Sequence, residues 1–317
     1  MNTSPLVTII TPTYNRGDLL AETMDSVLSQ DYSPIEYIVI DDGSTDNTKE
    51  IVKKFQKIKI PGKKIIYVQQ KNLGETASVN RGLKLAKGKF IGIINSDDPL
   101  LPHAVKIMTK YLMNHKDLLV VYPDIKMIDK NSNKINIGHV HEYNYLSMLK
   151  NQGCIIGQGA FFRSKVVELT NGRDKSFKFV ADFDFWLRLG MYGEFARVPR
   201  VLATGRVHQN SQTEYAWGDE MAEEHIRLVK KIFSLKDLPR EAHKFRRYAY
   251  SQAYHQAGGI FKSKKKMFWS YIIAFWYHPL NVTLRFREIL RRYKRKRKND
   301  SISNILGNII YYLGELF

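Results

Sequence analysis

The sequence of 317 residues contains one cysteine, Cys154. A single thiol leaves no pair for an internal disulfide, and the start MNTSPLVTII lacks the basic and long apolar segments of a secretory signal. The densest apolar run, at 267–277, is shorter than the roughly 18 residues that a membrane-spanning helix needs. We therefore expect a protein of a reducing compartment, the cytoplasm, without a transmembrane helix.

Acidic residues are scarce relative to basic ones. The sequence has 31 Asp and Glu against 50 Lys and Arg, which gives a formal net charge of +19. The excess is concentrated between Lys262 and Lys298, where thirteen Lys or Arg stand against one acid, Glu288, and contribute +12. This charge predicts an anionic partner. The hydrophobic content of 44% is enough for one large core and a smaller appended unit.

The first half of the sequence alternates short apolar runs with amphipathic stretches, a pattern typical of a parallel sheet flanked by helices. Buried strands are predicted at 7–11, 36–41, 64–69 and 90–95. Helices are predicted after Asp18, a candidate N-cap, and at 48–58 and 75–87. Four such units in about 95 residues predict a nucleotide-binding α/β domain.

The rest of the sequence is predicted to complete this domain and to add a helical extension. The catalytic domain is expected at 1–215, with a nucleotide-sugar half at about 1–120 and an acceptor half at about 121–215. From 216 to 317 the pattern is helical and strongly basic. Helices of this extension are predicted at 220–233, 241–261, 264–277, 282–293 and 302–313.

Acidic residues follow two of the predicted strands, at the sheet edge where α/β folds bind ligands. Asp97 and Asp98 come just after the fourth strand, and two adjacent carboxylates repel unless a cation or donor groups accept them. Such oxygen ligands suit Mg²⁺ or Mn²⁺ on a diphosphate. The alternative is a helix cap before Pro99, just as the run Asp41 to Ser44 is by itself typical of a polar turn.

Four short motifs stand at the ends of the predicted strands or open the next helix. They are Pro12-Thr13-Tyr14-Asn15, Asp41-Asp42-Gly43-Ser44, Asn72-Leu73-Gly74 with Ala77 and Asn80, and Asn95-Ser96-Asp97-Asp98. In order and spacing they resemble glycosyltransferase family 2, inverting enzymes with the GT-A fold, which is a Rossmann-like, mostly parallel sheet flanked by helices. The resemblance covers about residues 5–213. Many members have Asp where this sequence has Asn95.

The resemblance implies roles for the residues at the nucleotide-sugar site. Pro12 and Tyr14 would wall the base and ribose, and Asp42 would accept a hydrogen bond from the nucleobase. Asn72 would belong to the same nucleotide site. Asp97 would contact the ribose or the metal, and Asp98 would ligate a Mn²⁺ or Mg²⁺ ion on the diphosphate.

A second acidic segment, at 179–188, resembles the family motif E-D-x-D-x-W-L-R. It places Asp182 at the position of the catalytic base and Ala181 where the family has Glu. The implied reaction is a single displacement in which a carboxylate takes the proton of the attacking acceptor hydroxyl. The alternative is that Asp182 and Asp184 are acids of a helix N-terminus, favoured by the helix dipole. Asp184 is expected to cap or position that helix.

The tripeptide Arg206-Val207-His208 resembles the R-x-H that closes the catalytic domain in many members. His208 is therefore a candidate ligand of the metal or the diphosphate, with a structural or exposed histidine as the alternative. Arg206 and the loop 209–213 are expected to close over the diphosphate.

These features predict a metal-dependent, inverting glycosyltransferase. The donor would be a nucleotide diphosphate sugar, commonly a UDP-sugar in the family. The acceptor would be a hydroxyl of a saccharide or lipid-linked molecule in the synthesis of cell-surface polysaccharide, lipopolysaccharide or glycolipid. The alternatives are a nucleic-acid-binding protein, a sugar nucleotidyltransferase and a pseudo-enzyme. They are disfavoured because the sequence shows no nucleic-acid recognition motif, has no glycine-rich phosphate loop and retains Asp42, Asp98 and Asp182 together.

The basic helices at the carboxyl end predict peripheral attachment to an anionic cytoplasmic leaflet, because an interfacial helix needs both electrostatic attraction and apolar burial. The apolar faces predicted at 282–293 and 302–313 carry this expectation. The alternative is that these faces pack on the catalytic domain or join subunits of a homo-oligomer.

Overall fold

The structure is a computed structural model that describes residues 4–138, 140–207 and 218–280. The chain divides into two compact units. The first comprises Met1–Met148 and Gly153–Tyr215, and the second comprises Leu149–Gln152 and Ala216–Phe317.

One mixed sheet forms the centre of the first unit. Its strands are β1 (Val7–Thr13), β2 (Ile35–Asp41), β3 (Lys63–Gln69), β4 (Phe90–Ile93), β5 (Val120–Ile128), β6 (Lys134–Gly138), β7 (Phe161–Arg163) and β8 (Phe195–Arg206). The neighbours β3, β2, β1 and β4 are parallel. Every residue of β1 and β2 is buried, which explains why both strands have apolar residues at consecutive positions and do not alternate between apolar and polar ones.

The acceptor half of the sheet is built by antiparallel and long-range pairing. β7 lies antiparallel between β4 and β5, and β6 is antiparallel to β5. β8 runs parallel to β5 along its whole length, from Val120↔Phe195 to Ile128↔Arg206. The end of β8 is thereby brought back toward the β4 end of the sheet, where a bridge joins Leu100 to Ala203.

The helices of the first part of the chain cover the faces of this sheet. They are α1 (Gly17–Leu28), α2 (Thr48–Gln56), α3 (Glu75–Leu85), α4 (Ala104–Asn114), α5 (Tyr145–Asn151), α6 (Lys165–Thr170) and α7 (Ala181–Leu189). Leu20 and Met24 of α1 and Met108 of α4 join one buried core with the strands. On α3, Gly82 lets the helix approach β1, because a Cβ there would come within 2.4 Å of the Ile10 side chain.

The second unit is helical. Its described elements are α8 (Asp219–Ile232), a 3₁₀ helix (Arg240–Phe245), α9 (Arg246–Ile260) and α10 (Lys264–Tyr277). Small residues let α9 and α10 pack closely: Gly258 lies against the Tyr271 ring, and the Ser270 hydroxyl donates to the Tyr254 carbonyl at 2.8 Å. No helix within the described ranges is long and apolar enough to cross a bilayer.

The predicted α/β sheet and most of its elements agree with the structure. The prediction of Asp18 as an N-cap is wrong, because α1 begins at Gly17, whose N–H donates to the Asp46 carboxylate at 3.0 Å. The segment predicted as one helix at 241–261 is a 3₁₀ turn followed by α9. The helices predicted at 282–293 and 302–313 lie outside the described residues.

Candidate functional site

The ends of β1 and β2 form one side of the candidate donor site. Thr13 pairs with Asp41 in the sheet, and the Asp42 N–H donates to the Thr13 carbonyl at 2.9 Å, so both strands end at the same level. Pro12 is buried in β1. Tyr14 follows it with 45% of its surface exposed, which leaves the ring accessible to a ligand at this edge.

The loops that follow β1 and β2 are hydrogen-bonded to each other. Asn15 adopts a left-handed conformation, with φ of 51°, and its amide oxygen accepts from the Thr45 N–H at 2.8 Å. The Asn15 N–H donates to the Ser44 hydroxyl at 2.9 Å. Asp46 accepts from Gly17, and its pKa is lowered because these donated hydrogen bonds outweigh the effect of burial. Nothing in the sequence distinguishes Asp46 from other polar loop residues.

The two acids after β2 have different partners. The Asp41 carboxylate accepts from the Ser44 N–H at 2.8 Å and from the Tyr67 hydroxyl, so it faces into the protein. Burial and this carboxylate together raise the pKa of Tyr67. Asp41 therefore stabilises the polar turn that the sequence predicts as an alternative. The Asp42 carboxylate is not needed for that turn.

The Asp42 carboxylate organises the loop between β3 and α3. It accepts from the Leu73 N–H at 2.9 Å, the Gly74 N–H at 2.8 Å and the Gln70 side-chain amide at 2.7 Å. Asn72 is exposed beside this carboxylate, and its backbone lies close to Gly43. The structure therefore brings Asp42 and Asn72 together. Contact of either residue with a nucleobase stays a prediction.

Asp97 and Asp98 lie in the turn after β4 and are buried. Asp98 accepts from the Arg206 N–H at 2.7 Å and from the Asn95 side-chain amide at 3.2 Å. Asp97 forms an ion pair with Arg16. Burial and the neighbouring Asp97 carboxylate raise the pKa of Asp98 to about 7. The helix-cap alternative is wrong, because α4 begins at Ala104 with His103 at its N-cap.

The acidic pair fits a hard divalent cation of the kind that the family uses. Two buried carboxylates lie side by side at the sheet edge, where their like charges repel unless a cation or hydrogen-bond donors accept them. Within the described part of the chain, no cluster of three or more His, Cys, Asp or Glu side chains is present. Substrate oxygens and water would complete the coordination, as is usual for Mg²⁺ at diphosphates, with His208 as a further candidate ligand. His208 lies outside the described residues.

The expectation that Arg206 closes over the diphosphate does not agree with the position of its side chain. Its side chain is completely buried. The guanidinium donates to the Asp97 carbonyl at 2.8 Å, to the Glu22 carboxylate at 2.5 Å and to the Asp129 carbonyl at 3.0 Å. A guanidinium with these partners cannot swing over a ligand without breaking them. Arg206 instead fixes the turn that holds the acidic pair, and the loop 209–213 lies outside the described residues.

The candidate base, Asp182, lies in the first turn of α7. Asp184, two residues on, is completely buried, and Arg188 donates to it through Nε and a terminal nitrogen, each at 2.8 Å. Arg188 also donates to the carbonyls of Thr170 at 2.6 Å and Gly172 at 2.8 Å. Asp184 thus orients Arg188, and Arg188 fixes the loop between α6 and α7.

The same loop is held from its other side by α3. The Asn80 side chain donates to the Arg173 carbonyl at 2.7 Å and accepts from the Arg173 N–H at 2.8 Å. The Thr76 hydroxyl donates to the Phe177 carbonyl at 3.2 Å, and Glu75 forms an ion pair with Arg173 at 3.0 Å. One helix therefore links the Asp42 loop at its N-terminus to the segment that leads into the Asp182 helix.

Cys154 lies close enough to Asp182 to be affected by its charge. The protein atoms packed around the sulfur raise the pKa of the Cys154 thiol, and the Asp182 carboxylate raises it further.

Comparison with known proteins identifies the family. The family model described as Glycosyl transferase family 2 matches residues 8–169. The chain belongs to this family. It is 29% identical over 230 residues to a chondroitin synthase of Escherichia coli, and the match covers 73% of this chain and 33% of that protein. It is 30% identical over 223 residues to a glycosyltransferase of Rickettsia prowazekii, a match that covers 67% of each chain.

Solved structures confirm the fold of this family 2 glycosyltransferase. The mannosyltransferase PcManGT of Pyrobaculum calidifontis, in complex with GDP-Man and Mn²⁺, gives a TM-score of 0.63 at 19% identity and covers 93% of this chain and 83% of its own. TarS residues 1–349 of S. aureus, in complex with UDP-GlcNAc, give a TM-score of 0.62 at 16% identity. That match covers 89% of this chain and 91% of the TarS chain. The predicted GT-A fold is confirmed.

Proposed function

We propose that this glycosyltransferase is a metal-dependent, inverting enzyme that transfers a sugar from a UDP-sugar to a hydroxyl of a saccharide or lipid-linked acceptor. The observation that carries the proposal is the link that α3 makes between two sites. Gly74, at the N-cap of α3, donates to Asp42 at the donor edge, and Asn80 holds the loop that leads to Asp182. A donor nucleotide and an acceptor hydroxyl would then be held by one rigid framework.

On the donor side, Pro12 and Tyr14 would contact the base and ribose. Asp42 would accept from the base, beside Asn72, in addition to ordering the loop that it already binds. Asp97 would contact the ribose or the metal, and its ion pair with Arg16 fixes the position of its carboxylate.

Asp98, with Asp97 and His208 as further candidates, would hold a Mn²⁺ or Mg²⁺ ion. Such an ion would supply compensation for the charge that develops on the departing diphosphate. The protein prepares this site by burying both carboxylates and by fixing the turn through Arg206.

On the acceptor side, Asp182 would act as the general base. The acceptor oxygen forms a bond to the anomeric carbon while the bond from that carbon to the diphosphate breaks, and the hydroxyl proton passes to the Asp182 carboxylate. One displacement inverts the anomeric configuration and needs no covalent enzyme intermediate. Asp184 does not take part in proton transfer, because its carboxylate is completely buried against Arg188.

The proposed biological setting is the synthesis of cell-surface polysaccharide, lipopolysaccharide or glycolipid. The chondroitin synthase relative supports a saccharide acceptor, and the complexes of the structural neighbours support a nucleotide-sugar donor. Nucleic acid is not expected as a partner. Cytoplasmic location with peripheral membrane attachment, and a homo-oligomer through the helices predicted at 282–313, both stay predictions.

The decisive experiment measures binding and turnover of a nucleotide-sugar panel. Calorimetric titration with UDP-GlcNAc, UDP-glucose, UDP-glucuronic acid and GDP-mannose is carried out with Mn²⁺ and with EDTA. We expect at least one UDP-sugar to bind about tenfold or more tightly with Mn²⁺, since the ion compensates the diphosphate charge. NMR of the transferred sugar should show inversion of the anomeric configuration. Equal binding in EDTA, or retention, would contradict the proposal.

A further inference from the structure

Helix α10 is apolar on two opposite sides, and one of them packs against no described part of the protein core. Ser270 and Ala274 are its buried residues, and they face α9. Trp269, Ile272 and Trp276 are spaced by three and four positions, which places them together on the opposite side of the helix. Their exposed fractions are 53%, 45% and 70%.

Two neighbouring apolar residues widen this surface. Phe275 and Leu280 are 48% and 69% exposed. We call the five residues Trp269, Ile272, Phe275, Trp276 and Leu280 the α10 apolar face. A helix that is apolar all round is normally buried, and a contiguous exposed apolar patch of this kind marks an interaction site.

The charge around the α10 apolar face restricts what can cover it. From Arg246 to Leu280 the sequence has six Lys or Arg and no Asp or Glu, and of these six Lys266 forms ion pairs with Asp219 and Glu223 of α8. Lys262, Lys264 and Lys265 are exposed at the start of α10. A second copy of the chain would bring the same positive charge. The segment 281–317 would also add positive charge, because it has nine Lys or Arg and three acids. Neither a second copy nor this segment complements the positive charge beside the α10 apolar face, whereas an anionic surface does.

We propose that the α10 apolar face is a membrane-docking surface that lies in the interface of a bilayer containing anionic lipids. Indole rings favour the level of the lipid headgroups, and lysines beside an apolar face bind their phosphates. The 14 residues of α10 span about 21 Å, less than the hydrocarbon thickness of about 30 Å, so the helix rests on the bilayer and does not cross it.

This proposal differs from the attachment predicted from 282–293 and 302–313, because it rests on described residues of a different helix. It is also independent of the donor site. Vesicle binding needs no nucleotide-sugar, so failure of this inference and failure of the proposed transfer reaction are observed separately.

The experiment measures co-sedimentation of the full chain with vesicles of phosphatidylcholine alone and of phosphatidylcholine mixed with phosphatidylglycerol. The double variant Trp269→Ala/Trp276→Ala should weaken binding to the mixed vesicles about tenfold or more. Lys264→Gln and Lys265→Gln should each weaken it about fivefold, and this effect should fade at high salt. Matched controls are Ile58→Ala and Ile135→Ala, which remove similarly exposed apolar side chains of the first unit, and Lys116→Gln.

A second measurement locates the contact. Brominated lipids should quench the tryptophan emission of the wild-type chain, and Trp269→Phe/Trp276→Phe should retain vesicle binding but lose most of this quenching. Wild-type vesicle binding by the double alanine variant would overturn the proposal, as would failure of the wild-type chain to bind anionic vesicles. A lipid-free self-association that the double alanine variant abolishes would assign the face to a second copy and would also overturn it.

Discussion

Replacement of Arg188 by lysine tests whether the loop before α7 positions Asp182, the proposed catalytic base. The lysine keeps one positive charge beside Asp184 but has a single nitrogen in place of the guanidinium fork. It can retain the ion pair, but it cannot also donate to the carbonyls of Thr170 and Gly172, which Arg188 binds at 2.6 and 2.8 Å. The change therefore releases the loop while leaving the buried acid compensated.

The expected cost follows from these contacts. Each hydrogen bond from a charged donor contributes about 1.5–3 kcal/mol, and partial rehydration of the two loop carbonyls lowers their combined loss to about 2–4 kcal/mol. That loss corresponds to a Tm lower by about 5–15 °C for a unit of this size. Displacement of Asp182 by about 1 Å should lower kcat by roughly 10- to 100-fold. The donor KM should change little, because Asp42 and its loop keep their own contacts.

The assay combines thermal unfolding with steady-state kinetics at a temperature where both proteins are folded. Arg200→Lys is the control, because Arg200 is an exposed arginine of β8 and its replacement should change neither Tm nor kcat. Arg188→Ala should be more severe, since it leaves the Asp184 carboxylate buried without its cation, at about 3–5 kcal/mol. A stable Arg188→Lys protein, or an unstable one with wild-type kcat, would refute the positioning role.

Three further substitutions test the site. Asp98→Ala should abolish the Mn²⁺-dependent part of donor binding in calorimetry, and unchanged affinity would show that the ion is held elsewhere. Asp182→Asn should keep the donor Kd but lower kcat by at least about a hundredfold, and an equal loss of binding would indicate a structural role. Asn95→Asp should lower the Tm in EDTA by about 2–10 °C, because it removes the amide that donates to Asp98 and adds a third carboxylate. Added Mn²⁺ should restore that loss, and a wild-type Tm in EDTA would contradict it.

The parallel part of the fold could be predicted because its information is local. Strands of a parallel sheet have apolar residues at consecutive positions, and this pattern predicts the buried strands β1 and β2 and the half-buried strand β3 to within two residues of their observed bounds. The acceptor half was not predictable in this way. β8 pairs with β5 across more than 70 residues of sequence, with register shifts near Asp124. Neither these shifts nor the pairing of β7 with β5 produces a periodic pattern in the sequence.

The candidate site shows the same division. Motifs at strand ends predict Asp42, Asp97 and Asp98 as site residues, because the ends of parallel strands meet at one edge of a sheet. Asp182 is predicted from the resemblance of its segment to a family motif. The residues that hold these motifs in place were missed. Asp46 looked like one more polar loop residue until its bond to Gly17 was visible. The exposed side of α10 could not be predicted from the sequence either. An apolar run does not show which side of a helix packs against the protein.

The acids of the donor edge fall into two classes according to their donors. Asp46 accepts backbone hydrogen bonds, and its pKa is lowered, as expected of a carboxylate that holds a loop. Asp98 accepts one backbone bond and one amide bond, yet its pKa is raised because it is buried beside Asp97. A purely structural role does not require two buried carboxylates side by side. Asn95 fits this arrangement, because an amide can donate to Asp98 whereas the carboxylate common in the family would add to the repulsion. The hydrogen bonds to Asp98 and the ion pair of Asp97 with Arg16 therefore compensate part of the charge of the acidic pair. We expect a divalent cation bound with the nucleotide-sugar to compensate the rest.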